Sequence, residues 1–131
     1  MTNSRTAVIA AGLFMTAVQF VQNQLLFLAV WQDHFRSLGL EFATKPLNGI
    51  LWMAWSFLDA YLLLVLLRAL PLARAVLVAW LVGFVMMWCA LYNLQVLPVQ
   101  LLLAAVPISA AATFGSAHII RRFDSAADRP N

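Results

Sequence analysis

Asp59 is the only charged residue within the apolar stretch LWMAWSFLDAYLLLVLL, which runs from Leu51 to Leu67. Ionising a carboxyl group costs free energy when the group is held away from water, so an acid in this position can exchange a proton or bind a cationic ligand. Asp59 is therefore the first candidate for chemistry. The alternative is a structural acid that stays neutral and bonds to neighbouring amides.

Polar and aromatic residues precede Asp59 on one face of the helix that this stretch predicts. Asn48, Trp52 and Trp55 recur with Asp59 at i, i+4, i+7 and i+11, which is one narrow side at 3.6 residues per turn. A hydrogen-bonding or charged group that faces hydrocarbon is costly. We expect this face to point into the interior of a helix bundle or into a wet cavity.

An earlier apolar segment contains three amides at helical spacing. Gln19, Gln22 and Asn23 lie at i, i+3 and i+4 and therefore share one face of a helix. Gln19 lies near the middle of its segment, as Asp59 does in its own. We expect an interhelical hydrogen bond from Gln19 or Asn23 to Asp59.

These residues share one half of the membrane when they are placed by depth. Trp88, Tyr92 and Asn93 of a later segment lie in the same half, between the midplane and the outer surface. The sequence thus predicts a pocket that opens outward, with Asp59 at its floor. The predicted ligand-binding or proton-titrating residues are Asp59, Gln19, Gln22, Asn23, Asn48, Trp52, Trp55, Trp88, Tyr92 and Asn93.

The composition of the chain requires a membrane around these residues. Of 131 residues, 64% are hydrophobic and 10% are charged, whereas soluble domains contain about 45–50% apolar and about 25% charged residues. Four segments are long enough to cross the hydrocarbon layer as helices. The sequence predicts one membrane domain over residues 1–131: an all-α, antiparallel four-helix bundle with short loops. Its helices cover about 7–31, 47–67, 75–94 and 98–120, with an outer interfacial loop at 32–46 and a polar tail at 121–131.

The distribution of positive charge predicts the orientation of the bundle. Arg5, Arg68, Arg74, Arg121, Arg122 and Arg129 fall on one side, and Arg36 and Lys45 on the other. Lys and Arg are enriched in cytoplasmic loops, so we expect both termini in the cytoplasm. The short loops favour a bacterial inner membrane. The basic residues flank helices instead of forming a patch, so no nucleic-acid partner is expected.

The remaining residues bear on metals, cofactors and protein partners. Cys89 is the only cysteine, and His34 and His118 fall on opposite sides of the predicted membrane, so neither a metal nor a cofactor is expected. The fourth helix contains small residues at small-xxx-small spacing, such as Ala112 and Ser116. This face predicts close packing against a second copy of the chain or another membrane protein.

Three classes of function are consistent with these patterns. The first is a binding or transport protein in which Asp59 exchanges a proton for a small cationic or amphipathic solute. The second is a membrane-embedded enzyme, an isomerase, cyclase or epoxide-opening enzyme, in which Asp59 protonates a lipid or isoprenoid and aromatic rings stabilise positive charge. The third is a structural or accessory subunit of a membrane complex, in which Asp59 only holds helices together. The sequence leaves all three open.

Overall fold

The computed structural model describes residues 3–127, and over this range it contains helices and no strands. Four helical segments are long and apolar enough to cross a bilayer: Ser4–Leu26, Pro46–Ala69, Leu72–Asn93 and Val99–Phe123. They are called the first to fourth spans. The prediction of an all-α chain with four helices of membrane-spanning length is confirmed. Arg129, which contributed to the predicted orientation, lies outside the described residues.

The first span ends before residue 31, the end of the helix predicted over 7–31, because the helical path breaks after Leu26. Helix α1, Ser4–Phe20, continues as a π-helix over Val21–Leu26, and the helical path breaks at Phe27, where φ is −118° and ψ is 8°. The Asn23 side chain donates to the backbone oxygen of Gln19 at 3.1 Å, and such side-chain bonds compete with the regular backbone ladder. Helix α2, Leu28–Ser37, then occupies part of the predicted interfacial loop.

The second and third spans are joined at Pro71 and contact each other. Helix α3, Pro46–Ala69, begins with a proline in its first turn, where the missing N–H has no intrahelical partner to lose. The third span consists of α4, Leu72–Trp80, a π-helix over Leu81–Val85, and α5, Met86–Asn93. The π-helix widens the third span at the depth of Asp59.

The fourth span turns its small residues towards the rest of the chain. It consists of a 3-10 turn, Val99–Leu101, and helix α6, Leu102–Phe123. Its small-residue face contacts α1 and α4. Gly115 admits the ring of Phe14, which lies 3.1 Å from where a Cβ would stand. Part of the small-residue face therefore packs within the chain, and its buried residues include Ala105, Ser109, Ala112, Ser116 and Ala117. Ala111 on the same helix is exposed.

One half of the bundle is filled by a close-packed apolar cluster. It lies where the first span begins and the second span ends, and we call it the alanine-rich core; its members include Ala7, Ala11, Ala60, Leu63, Leu67, Ala75, Ala79, Ala117 and Ile120. Small side chains let helix backbones approach closely and pack without voids. This half of the bundle is dense and apolar, and the opposite half contains the cavity described below.

A polar cluster closes the same end of the bundle. The Arg68 guanidinium donates to Ser4 Oγ at 2.6 Å and forms an ion pair with Asp124, which is fully buried. Burial alone would raise the pKa of Asp124, but hydrogen bonds from Arg68, Ser4 and the Ala126 backbone, together with the Arg68 charge, lower it below its ordinary value. We call Ser4, Arg68 and Asp124 the charged clamp.

The segment predicted as a polar tail, 121–131, is helical at its start and is partly buried by the charged clamp. Helix α6 runs to Phe123, and beyond it Asp124 and Ala127 are both buried. A carboxylate that can pair with Arg68 at the end of the second span explains why the chain turns inward here. Within the described residues the tail is therefore packed against the bundle.

Candidate functional site

A cavity of about 480 Å³ occupies the half of the bundle opposite the alanine-rich core. Its wall is formed by the C-terminal part of the first span, α2, the segment leading into α3, the first half of α3, the third span and the start of the fourth. The volume is within the range of about 300–1,000 Å³ typical of small-molecule sites. The residues that line the cavity include Gln19, Gln22, Asn23, Trp31, Phe35, Phe42, Lys45, Asn48, Trp52, Trp55, Ser56, Asp59, Phe84, Met87, Trp88 and Leu101.

The cavity is long and follows one face of α3. Pro46 lies at its mouth and Asp59 at its floor, and a rise of 1.5 Å per residue makes the distance between them about 20 Å. The next turn of α3 belongs to the alanine-rich core, beginning with Ala60 and Leu63. The cavity therefore ends at Asp59.

Asp59 is buried in the cavity wall without a hydrogen-bond partner. Its side chain belongs to a residue that is 5% exposed, and neither carboxyl oxygen has a partner among the described residues. Gly83 of the third span packs directly against it: a Cβ at Gly83 would lie 2.4 Å from Asp59 Oδ1. Trp55 Nε1 donates to the Gly83 backbone oxygen at 3.2 Å, which holds α3 and the π-helix together beside the acid.

The amides of the first span bond to one another and not to Asp59. Asn23 Nδ2 donates to Gln19 Oε1 at 3.2 Å, and Trp31 Nε1 donates to Asn23 Oδ1 at 3.0 Å. The predicted hydrogen bond from Gln19 or Asn23 to Asp59 is absent. The Asn23 amide N–H donates to Gln19 instead, and no described residue bonds to the Asp59 carboxyl group. Two further atoms of this group, Gln19 Nε2 and Gln22 Oε1, are buried without a partner.

Aromatic rings cover the mouth of the cavity. Trp31 stacks on Phe42 with ring centroids 5.9 Å apart, and Phe35 meets Phe42 edge to face at 5.3 Å. We call Trp31, Phe35 and Phe42 the outer aromatic cluster. Because Trp31 also bonds to Asn23, the cluster is linked to the amides of the first span.

The structure brings eight of the ten predicted site residues to this cavity and separates the other two. Gln19, Gln22, Asn23, Asn48, Trp52, Trp55, Asp59 and Trp88 line it. Tyr92 and Asn93 line a separate depression with Cys89, Gln95 and Leu97. A role for any of the ten in binding stays a prediction.

Sequence reasoning missed Gly83, Ser56 and two members of the outer aromatic cluster, Phe35 and Phe42. A signal for Gly83 was present: Asp59 and Gly83 stand twelve residues on either side of Pro71. Two helices that fold back on each other at this proline bring these positions to the same depth. The phenylalanines could not be assigned in this way, because they lie outside the four predicted helices.

No protein-family model, curated protein or solved structure matches this chain. Within residues 3–127, no three His, Cys, Asp or Glu side chains lie close enough together to hold a metal ion. The chemistry of the cavity must therefore be argued from its own lining.

Proposed function

We propose that this chain is an integral membrane protein that binds a small cationic or amphipathic solute in its cavity, with proton exchange at Asp59. The observation that carries the proposal is the carboxyl group itself, which is buried at the floor of a cavity and has no hydrogen-bond partner. A buried polar group without a partner is destabilising. Such a group is retained where a ligand or a proton satisfies it.

The same observation argues against a purely structural role for Asp59. An acid that only holds helices together needs hydrogen-bond partners on the neighbouring helices. The Asn23 amide N–H donates to Gln19, and Gln19 Nε2 has no partner and does not donate to Asp59. Gly83 of the third span packs against Asp59 with its α-carbon, which has no hydrogen-bonding group. The contacts of Asp59 thus favour a functional acid.

The proposed topology is an antiparallel bundle with both termini in the cytoplasm of a bacterial cell. The charged clamp supports it, because Ser4 at the start of the first span and Asp124 after the fourth both meet Arg68 at the end of the second. Arg5, Arg74 and Arg122 belong to the same ends of the spans, as expected for a cytoplasmic side. In this orientation the cavity opens towards the outer surface.

Binding is favoured over passage through the chain alone. The alanine-rich core fills the inner half of the bundle below Asp59, so a solute that crossed the membrane would have to open this core. Transport would also need more enclosed volume than four helices provide. We therefore propose that a second copy of the chain or another membrane protein is a partner. Such a partner would contact exposed residues, Ala111 of the fourth span among them, since Ala112 and Ser116 are buried within the chain.

A second candidate is a membrane-embedded enzyme acting on a lipid or isoprenoid. The contact of Phe84 with Trp88, whose ring centroids are 6.0 Å apart in the cavity wall, favours it. Aromatic faces stabilise positive charge, and Asp59 could supply the proton that opens an epoxide or starts an isomerisation or cyclisation. Here the ligand would leave chemically changed.

The experiment compares Asp59→Asn with Asp33→Asn in lipid nanodiscs. Asp33 is an exposed acid paired with Arg36 outside the cavity, so its substitution is the matched control. Binding of a panel of cationic amphiphiles is followed by tryptophan fluorescence, and the recovered compounds are analysed for chemical change. We expect Asp59→Asn alone to weaken binding about tenfold or more, the loss of one charge-assisted contact. Equal binding by both variants would contradict the proposal.

A further inference from the structure

The floor of the cavity has two buried acceptors that no described residue satisfies. They are the two carboxyl oxygens of Asp59. Asp59 is 5% exposed, so water does not satisfy these atoms from outside. A ligand that completes the floor must bring hydrogen-bond donors.

The charged residues of the cavity wall further restrict the ligand. Asp59 is the only acid among the described lining residues, and Lys45, about 20 Å away at the mouth, is the only Lys, Arg or His. A positive group at the floor therefore meets an acid with no competing base. A second positive group on the same ligand would meet Lys45 at the mouth.

The wall between the floor and the mouth is apolar and aromatic. Trp52 and Trp55 from α3 face Phe84, Met87 and Trp88 from the third span, and leucines of the fourth span complete the wall. This surface suits a hydrocarbon chain lying along the cavity and offers aromatic faces to a cation near the floor.

We propose that the ligand is a primary amine with one long apolar chain, bound head first with its N–H groups at Asp59. A primary ammonium carries three donors, which can satisfy both free carboxyl oxygens of the floor. A quaternary ammonium has the same charge and no donor, and an alcohol has one donor and no charge. This inference rests on the proposed binding function and narrows it to one class of ligand.

Three probes with the same chain test the inference: dodecylamine, dodecyltrimethylammonium and dodecanol. Each is titrated into the protein in nanodiscs, and empty nanodiscs are measured in parallel to subtract partition into lipid. Four of the five tryptophans line the cavity, so quenching by chain-brominated versions of the probes reports occupancy. We expect dodecylamine to bind about tenfold tighter than either of the others.

Two variants separate the contributions of the floor. Asp59→Asn should remove the preference for dodecylamine, and Asp33→Asn should leave it unchanged. If Asp59→Asn does not fold, the comparison of the three probes on the unaltered chain still decides the question.

The remaining outcomes distinguish this inference from the proposed function. If dodecyltrimethylammonium binds as tightly as dodecylamine and needs Asp59, the cavity binds cations but does not select N–H groups, and the inference is overturned. If dodecanol binds as tightly as dodecylamine, charge is not selected and the inference is likewise overturned. If no probe depends on Asp59, both the inference and the proposed function fail.

Discussion

At the scale of single residues, the contact between Asp59 and Gly83 defines the floor of the cavity. The carboxyl group occupies the space that any side chain at position 83 would need, with the position of a Cβ 2.4 Å from Oδ1 and 2.9 Å from Cγ. A glycine in the third span is therefore a requirement of the acid. A larger residue at position 83 should be tolerated only when Asp59 is replaced by a smaller residue.

Gly83→Ala is predicted to displace the Asp59 side chain. The added methyl group cannot be accommodated without movement, because overpacking of a close contact forces side chains from their positions. We expect a changed infrared carboxyl band for Asp59 and weaker amine binding, with a loss of stability of about 1–3 kcal/mol.

Gly49→Ala is the matched control for this prediction. A Cβ at Gly49 would meet no atom within 4 Å, so this variant should keep both the carboxyl band and the thermal stability of the parent chain. If Gly83→Ala behaves like Gly49→Ala in both measurements, the described contact does not exist.

Residue-scale patterns in the sequence predicted the wall of the cavity better than its hydrogen bonds. Helical spacing brought Asn48, Trp52, Trp55 and Asp59 to one face, because that spacing depends only on the geometry of a regular helix. The bond from Asn23 to Asp59 is not formed, because the Asn23 amide N–H donates to Gln19 instead. Such competition depends on side-chain positions that spacing does not contain.

At the scale of elements, the interruption of the first span determines how the cavity is covered. The π-helix over Val21–Leu26 and the break at Phe27 let α2 turn across the mouth. π-helical turns occur frequently at functional sites, and here both of them, in the first and third spans, border the cavity. A continuous helix to residue 31, as predicted, would not have brought Trp31 onto Phe42.

Trp31→Phe is predicted to speed the release of a bound amine. The substitution keeps an aromatic ring in the outer aromatic cluster and removes the 3.0 Å hydrogen bond to Asn23. Since a single hydrogen bond contributes about 0.5–1.5 kcal/mol, the dissociation rate should rise by a factor of roughly 2 to 10. Stopped-flow displacement of a quenching amine measures this rate.

Trp80→Phe is the control for Trp31→Phe. Trp80 also donates a side-chain hydrogen bond, to Ser109 Oγ at 2.9 Å, but it does not line the cavity. Its substitution should leave the dissociation rate unchanged. An unchanged rate in Trp31→Phe would mean that the outer aromatic cluster does not control access.

At the scale of the whole molecule, the charged clamp joins three spans at one end of the bundle. The pKa of Asp124 is lowered in the folded chain, so the clamp stabilises the fold above the ordinary value near 4 and loses this contribution as pH falls through the lowered value. We expect the midpoint temperature of thermal unfolding to decrease as the pH is lowered from about 6 to about 3, a range that spans the ordinary pKa of aspartate.

Asp124→Asn tests this contribution directly. The amide cannot carry the charge that pairs with Arg68, so the variant should lose about 1–3 kcal/mol at neutral pH and show a flatter pH dependence. Asp33→Asn, which alters an exposed ion pair, should leave both unchanged within about 0.5 kcal/mol. If Asp124→Asn has the same free energy of unfolding as the parent chain at neutral pH, the charged clamp does not stabilise the fold.

The proposed topology can be measured with single cysteines. In a Cys89→Ser background, Glu41→Cys in the segment before α3 should react with a membrane-impermeant thiol reagent added outside cells. Ser125→Cys, next to the charged clamp, should react only after the membrane is opened. The reverse pattern would place the cavity on the cytoplasmic side and contradict the orientation inferred from the basic residues.

The number and length of the spans were more predictable than the contacts between them, because hydrophobic length can be read along the chain. Four apolar segments had to become four spans. The burial of Asp124 depended on a single partner, Arg68, more than fifty residues away, and the inward packing of the small residues on α6 depended on which helix approached them. Neither could be read from local composition.

The most direct test of a functional Asp59 is infrared difference spectroscopy of the protein in nanodiscs, recorded with and without dodecylamine. The account predicts a change in a carboxyl band on binding that is present in the parent chain and in Asp33→Asn and is missing in Asp59→Asn. A spectrum in which saturating amine leaves every carboxyl band unchanged, with the same affinity in Asp59→Asn, would contradict the account.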